Sequence, residues 1–248
     1  MQRLIYFVTL LGLAATTGAY AQIGTINSTI ATPRVWNDIP AATLTSFNSY
    51  PSLVLFGEQN VSGSGYANRD IWQFSNNGGT SAYQFQNNDY FNASMSLTLS
   101  GGSGTYYPEA GFLFSGSPGF TGGDLQFIVK TDGEVVQFGG TSFFNFNPTV
   151  VYTPGTAINL KMSYFQALDG NNALEFFANG QASTVFEFAP GAGIGGSTGG
   201  GYFQIPQNPT DPSNSGSASF GSISIVPEPS ALALLGLGIV ALVFRRRG

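Results

Sequence analysis

The chain has 248 residues and a formal net charge of −5, with neither cysteine nor histidine. Setting aside Arg3, Glu228 and the arginines at 245–247 leaves four cations against twelve carboxylates, so the interior carries −8. That balance repels nucleic-acid phosphates and excludes nucleic acid as a partner. The missing residue types exclude disulfides and Ser–His or Cys–His nucleophile pairs, and deprive zinc or copper sites of their usual ligands; an enzyme here has carboxylates to work with.

The first 21 residues read as a signal peptide. Arg3 precedes an apolar run over residues 4–13, and Ala19 and Ala21 satisfy the small-x-small rule for signal peptidase, leaving Gln22 as the new N-terminus. Residues 22–225 are read as one β-sandwich domain and residues 226–248 as a separate tail. Charged residues make up only 8% of the chain, so solubility falls to Asn, Ser, Thr, Gln and 34 Gly, as is common in extracellular β-proteins. With no disulfides available, 22 Phe and 11 Tyr supply the core.

Beyond the signal, alternation replaces helical periodicity. Residues 71–74 and 83–85 flank an Asn-Gly loop and predict a hairpin. Phe91, Ala93, Met95, Leu97 and Leu99 alternate with polar residues and predict a half-buried strand. Phe112 and Phe114 mark another. Leu125, Phe127 and Val129 form the next, which turns at Asp132-Gly133 into a return strand carrying Val136 and Phe138. Ile158, Leu160, Met162 and Tyr164 alternate, turn at residues 168–172 into 174–178, and turn again at Asn179-Gly180 toward 185–188. Residues 191–201 read as a mobile glycine-rich loop, with strand signal at 201–205. Residues 206–216 read as irregular, and 220–225 as the closing strand. Short strands joined by Gly and Asn turns, without a fixed repeat, predict an all-β antiparallel sandwich.

The tail begins Val226-Pro227-Glu228-Pro229-Ser230. The two prolines predict an exposed, extended strip. Residues 231–244 form an uncharged apolar run, about 21 Å long as a helix and so marginal for a membrane span. Arg245, Arg246 and Arg247 follow and belong on the cytoplasmic side, which places the domain outside.

This succession resembles the PEP-CTERM sorting signal of exported bacterial proteins. The resemblance implies recognition through Pro227, Glu228 and Pro229 by an exosortase that cuts near the motif and removes the helix, with the product ending at the cell surface or in extracellular polysaccharide. A second resemblance is carried by residues 127–180: the Asp132-Gly133 turn, Tyr152-Thr153-Pro154-Gly155, the strand Asn159-Leu160-Lys161-Met162-Ser163-Tyr164, and the strand from Leu174 that ends in Asn179-Gly180. It is similar to the back half of a laminin-G or concanavalin-like jelly roll, with an immunoglobulin-like sandwich as the competing architecture.

The concanavalin-like resemblance brings glycosidase chemistry with it, since such folds host enzymes that carry their carboxylates on one strand. The Glu-x-Asp-x-x-Glu triplet of such enzymes is absent, and Glu109, Asp124, Glu175 and Glu187 stand isolated in sequence. No catalytic residue, metal ligand or cofactor is therefore assigned. The loops at Asp132 and Asp169 are first of all turns, with calcium as the ion they would suit. Trp36, Trp72, Tyr106 and Tyr107 are the rings available for stacking on sugar, and Trp72 is taken as the best single candidate for an exposed one. The reading is a non-catalytic surface protein; a lectin-like carbohydrate-binding module, then a carboxylate-only glycosidase, are the alternatives.

Overall fold

A computed structural model describes residues 23–228 apart from Thr141 and Ser142. The signal segment with Ala19 and Ala21, and the tail from Pro229 through the apolar run to Arg245, Arg246 and Arg247, lie outside the described residues.

Fifteen strands follow one another: β1 (Ser28–Asn37), β2 (Thr43–Ser49), β3 (Leu53–Gln59), β4 (Ala67–Ser75), β5 (Phe91–Gly101), β6 (Glu109–Ser115), β7 (Leu125–Lys130), β8 (Val135–Phe138), β9 (Phe144–Asn145), β10 (Ala157–Gln166), β11 (Asn172–Ala178), β12 (Gln181–Ala182), β13 (Phe186–Glu187), β14 (Thr198–Pro206) and β15 (Ser215–Pro227). One sheet has the order β1-β4-β14-β6-β7-β8-β9. The other runs β12-β11-β10-β5-β15-β3-β2, with β13 also on β11. Their many sequence-distant neighbours are those of an antiparallel sandwich whose strands cross between layers.

Alternation decides which face is buried. On β5, Phe91, Ala93, Met95, Leu97 and Leu99 point inward; on β7, Leu125, Phe127 and Val129 do so. The inner faces meet in an aromatic core. Phe85 packs 5.2 Å from both Phe91 and Phe114, and Phe91 stacks on Phe114 at 6.0 Å. Full burial of such rings contributes on the order of 2–3 kcal/mol each, the main favourable term in a domain without disulfides.

Three expectations change. Residues 83–85 do not complete a hairpin with β4, because β1 and β14 already take its edges. Tyr83 makes one bond to the Phe74 carbonyl, and Gln84 forms a single bridge to Thr198. The glycine-rich stretch is in part a central strand: β14 begins at Thr198 and lies between β4 and β6. Its glycines are there for close approach. A Cβ at Gly199 would run into the Phe114 ring, and one at Gly201 into the Trp72 indole. Finally, the closing strand does not stop at Ile225. It continues through Val226 and Pro227, which stand opposite Asn92 and Phe91 of β5. Residues 226–228 are extended as expected, but they are paired, and only Val226 is strongly exposed.

Candidate functional site

The outer face of the seven-stranded sheet carries the chemistry. Inward positions of β4 are Asn68, Asp70, Trp72 and Phe74, so Arg69, Ile71 and Gln73 point out. By the same alternation β14 presents Tyr202 and Gln204, β6 presents Glu109 and Leu113, and β7 presents Ile128 and Lys130. The registers align these side chains into a cross-strand row: Trp36 opposite Arg69, Arg69 opposite Gln204, Gln204 opposite Glu109, and Glu109 opposite Lys130. A neighbouring row is apolar, with Ile71, Tyr202, Ile128 and Val136. Gly111 sits in it opposite Tyr202, where a Cβ would run into the Phe127 carbonyl.

Arg69 organises the row. Its guanidinium lies 3.8 Å over the Trp36 ring and 5.2 Å from the Tyr202 ring, and its Nε donates to Gln204 Oε1 at 2.6 Å. Among the described residues its terminal nitrogens have no hydrogen-bond partner. Tyr202 is fully buried and donates to Glu109 Oε1 at 3.4 Å. Burial pushes the Tyr202 phenol far above its ordinary value. Burial also holds Glu109 above the usual carboxylate range, against the pull of Arg69 and Lys130. Lys130 bridges Asp132 at 3.3 Å and Glu134 at 3.1 Å. At the rim Trp36 is 42% exposed and Tyr66 67%, their ring centroids 6.5 Å apart. Two exposed rings thus lie beside fixed donors and acceptors, stacking faces next to hydrogen-bonding groups.

Of the rings singled out from sequence, Trp36 is the exposed one. Trp72 is not: it is fully buried, 5.2 Å from Phe74 and 5.8 Å from Phe220, because it shares the inward parity of Phe74. Tyr106 and Tyr107 are half-buried, Tyr106 in a bridge with Ser103. The four isolated carboxylates do not converge. Glu109 is on the seven-stranded sheet, Glu175 and Glu187 are on the eight-stranded sheet, and Asp124 precedes β7. The turn carboxylates are engaged by their own loops: Asp132 accepts from the Glu134 amide, and Asp169 from both the amide and the side chain of Asn171.

One cluster escapes the sequence reading. Arg34 sits at a bulge in β1 with φ 54° and reaches across to β3 of the other sheet. It grips the fully buried Glu58 at 2.8 and 2.9 Å, while its amide donates to Asp70 Oδ1 at 2.8 Å. Desolvation raises Asp70 to about 7, and its other oxygen has no partner among the described residues. The signal was available: Asp70 has the parity of Trp72, which puts an acid on the core face.

Residues 226–247 match the model of the PEP-CTERM protein-sorting motif. The tail is a PEP-CTERM sorting motif. The PEP-CTERM motif implies export, a membrane-anchored sorting signal and processing by an exosortase. Within the described part of the motif, Pro227 closes β15 and Glu228 follows it. No curated protein sequence matches the chain. The alginate lyase PA1167 from Pseudomonas aeruginosa superposes with a TM-score of 0.51 at 14% identity, over 74% of this chain and 86% of that one. A glycoside hydrolase family 16 endo-glucanase from Bacteroides ovatus gives 0.50 at 10%, over 80% and 94%. The fold is thus the jelly roll of these polysaccharide lyases and hydrolases, a concanavalin-like sandwich rather than an immunoglobulin-like one.

Proposed function

We propose that this chain is an exported cell-surface protein whose jelly roll binds extracellular polysaccharide without cleaving it. Signal peptidase releases residue 22, residues 231–244 hold the domain at the membrane with Arg245, Arg246 and Arg247 on the cytoplasmic side, and exosortase processing passes it to the surface or the surrounding matrix. The observation that carries the binding role is the row from Trp36 to Lys130, rimmed by the exposed rings of Trp36 and Tyr66. Such a row recognises hydroxyl-rich chains through stacking and polar contacts. Asp132, Glu134 and Glu109 outnumber Lys130 and Arg69 there, which favours neutral over anionic glycans.

Support for a non-catalytic role comes from the same residues. Glycoside hydrolysis uses two carboxyl groups flanking the bond, about 5–9 Å apart. Glu109 is the one carboxylate in the row, and Glu134 is tied to Lys130. Tyr202, buried and held protonated, is a poor proton carrier at neutral pH. The test is incubation of the exported protein with polysaccharide from the producing bacterium. Retention on the polysaccharide with no new reducing or unsaturated chain ends supports the proposal; release of fragments overturns it.

A further inference from the structure

The end of β15 places the sorting motif in contact with the domain it labels. Up to Gly221, β15 pairs with β3 on one side and β5 on the other. Ser222, with φ 50°, marks a bulge, and Ile223 makes a last bond to the Pro51 carbonyl on the β3 side. From Ser224 to Pro227 the strand pairs, among the described residues, with β5 alone, and the Glu228 amide donates to the Tyr90 carbonyl at 3.0 Å.

Amides alternate sides along an antiparallel strand. Glu228 points its N–H at β5, so Val226 does the same and Pro227 faces the open edge. A proline is tolerated there because that edge makes no ladder bond with any described residue. The consequence is an asymmetry. The open edge of the motif has no donor at Pro227, and the edge that has donors, at Val226 and Glu228, is the one occupied by β5. Enzymes that read an extended peptide do so largely by adding it as a strand through its backbone N–H and C=O groups. The side chain of Glu228 is drawn in too, lying half-buried within the field of Lys161.

We propose that the sorting motif has two mutually exclusive partners, β5 of its own domain and the sorting enzyme, so that residues 224–228 must peel from β5 before the motif is read. The proposal rests on the reading that an exosortase processes this tail. Sorting rate is then set by fraying of one strand end, and a tighter sandwich is sorted more slowly.

The chain has no cysteine, so a double variant has a single possible disulfide. Asn92 and Val226 are directly opposite, with the Cα separation of about 5.5 Å that a disulfide spans. In the producing bacterium, full-length N92C/V226C is expected to lose its tail at least tenfold more slowly than either single variant, with residues 245–247 still present in its intact mass, and reductant is expected to restore the rate. S224P lies outside the motif, removes a donor to β5, and is expected to speed processing. Loss of the tail from the oxidised double variant at the rate of the single variants overturns the proposal. Amide exchange on the unprocessed full-length chain reads the docking separately from any processing. Protection at Val226 and Glu228, lost in S224P, supports it. Free exchange at both overturns it, whatever the enzyme does.

Discussion

Arg34 and Glu58 link the two sheets, the guanidinium holding both carboxylate oxygens at 2.8 and 2.9 Å with Glu58 fully buried. Removing one partner of such a pair leaves the other charge without compensation. Glu58→Gln is expected to lower unfolding free energy by about 3 kcal/mol or more, read as a fall in urea midpoint without a change in slope.

Asp70 gives the same region a pH dependence. Its folded value, about 7, lies above the ordinary carboxylate value near 3.8, first because of desolvation and then through Glu58, with the Arg34 amide and charge opposing. The folded state therefore holds this proton more tightly than the unfolded one. The contribution is fully present below about pH 4 and is lost as pH rises toward 7, by up to roughly 4 kcal/mol. Thermal stability of the wild type should decline over that window from this group. Asp70→Asn keeps the acceptor for the Arg34 amide and should flatten the slope; an unchanged slope would refute the assignment.

Gly201 faces the Trp72 indole too closely for a Cβ. Gly201→Ala is expected to cost about 1–3 kcal/mol through overpacking, seen as a lower melting temperature by far-UV circular dichroism. Gly155, with open space around it and a positive φ in an exposed turn, is a control for backbone conformation without packing.

Chelation is expected to leave sugar binding unchanged. The carboxylates of Asp132 and Asp169, the loops that suit calcium best, are engaged by Glu134, Lys130 and Asn171. Loss of binding in EGTA, restored by calcium, would show that one of these turns opens to take the ion.

What the sequence made legible follows from simple alternation. β5, β7 and β10 show it cleanly, and their inward residues are the ones expected. β1 and β3 were invisible for local reasons. Pro33 interrupts β1 and is accommodated because the strand is an edge with a bulge. β3 buries Glu58, a charge where alternation calls for an apolar residue. The glycines that open β14 look like loop until Phe114 and Trp72 are seen packed against them. The candidate site was hidden more deeply, since Trp36, Arg69, Gln204, Glu109 and Lys130 come from five strands and meet through register alone.

The proposed sugar-binding face is tested most directly by comparing affinities for the producer's own polysaccharide among the wild type, Trp36→Ala and Phe177→Ala. Phe177 lies on the outer face of the opposite sheet, under Lys161. Trp36→Ala should weaken binding about tenfold or more, as loss of a stacking ring does, with Phe177→Ala indistinguishable from wild type. Full affinity in Trp36→Ala, or its loss in Phe177→Ala instead, would contradict the placement of the site.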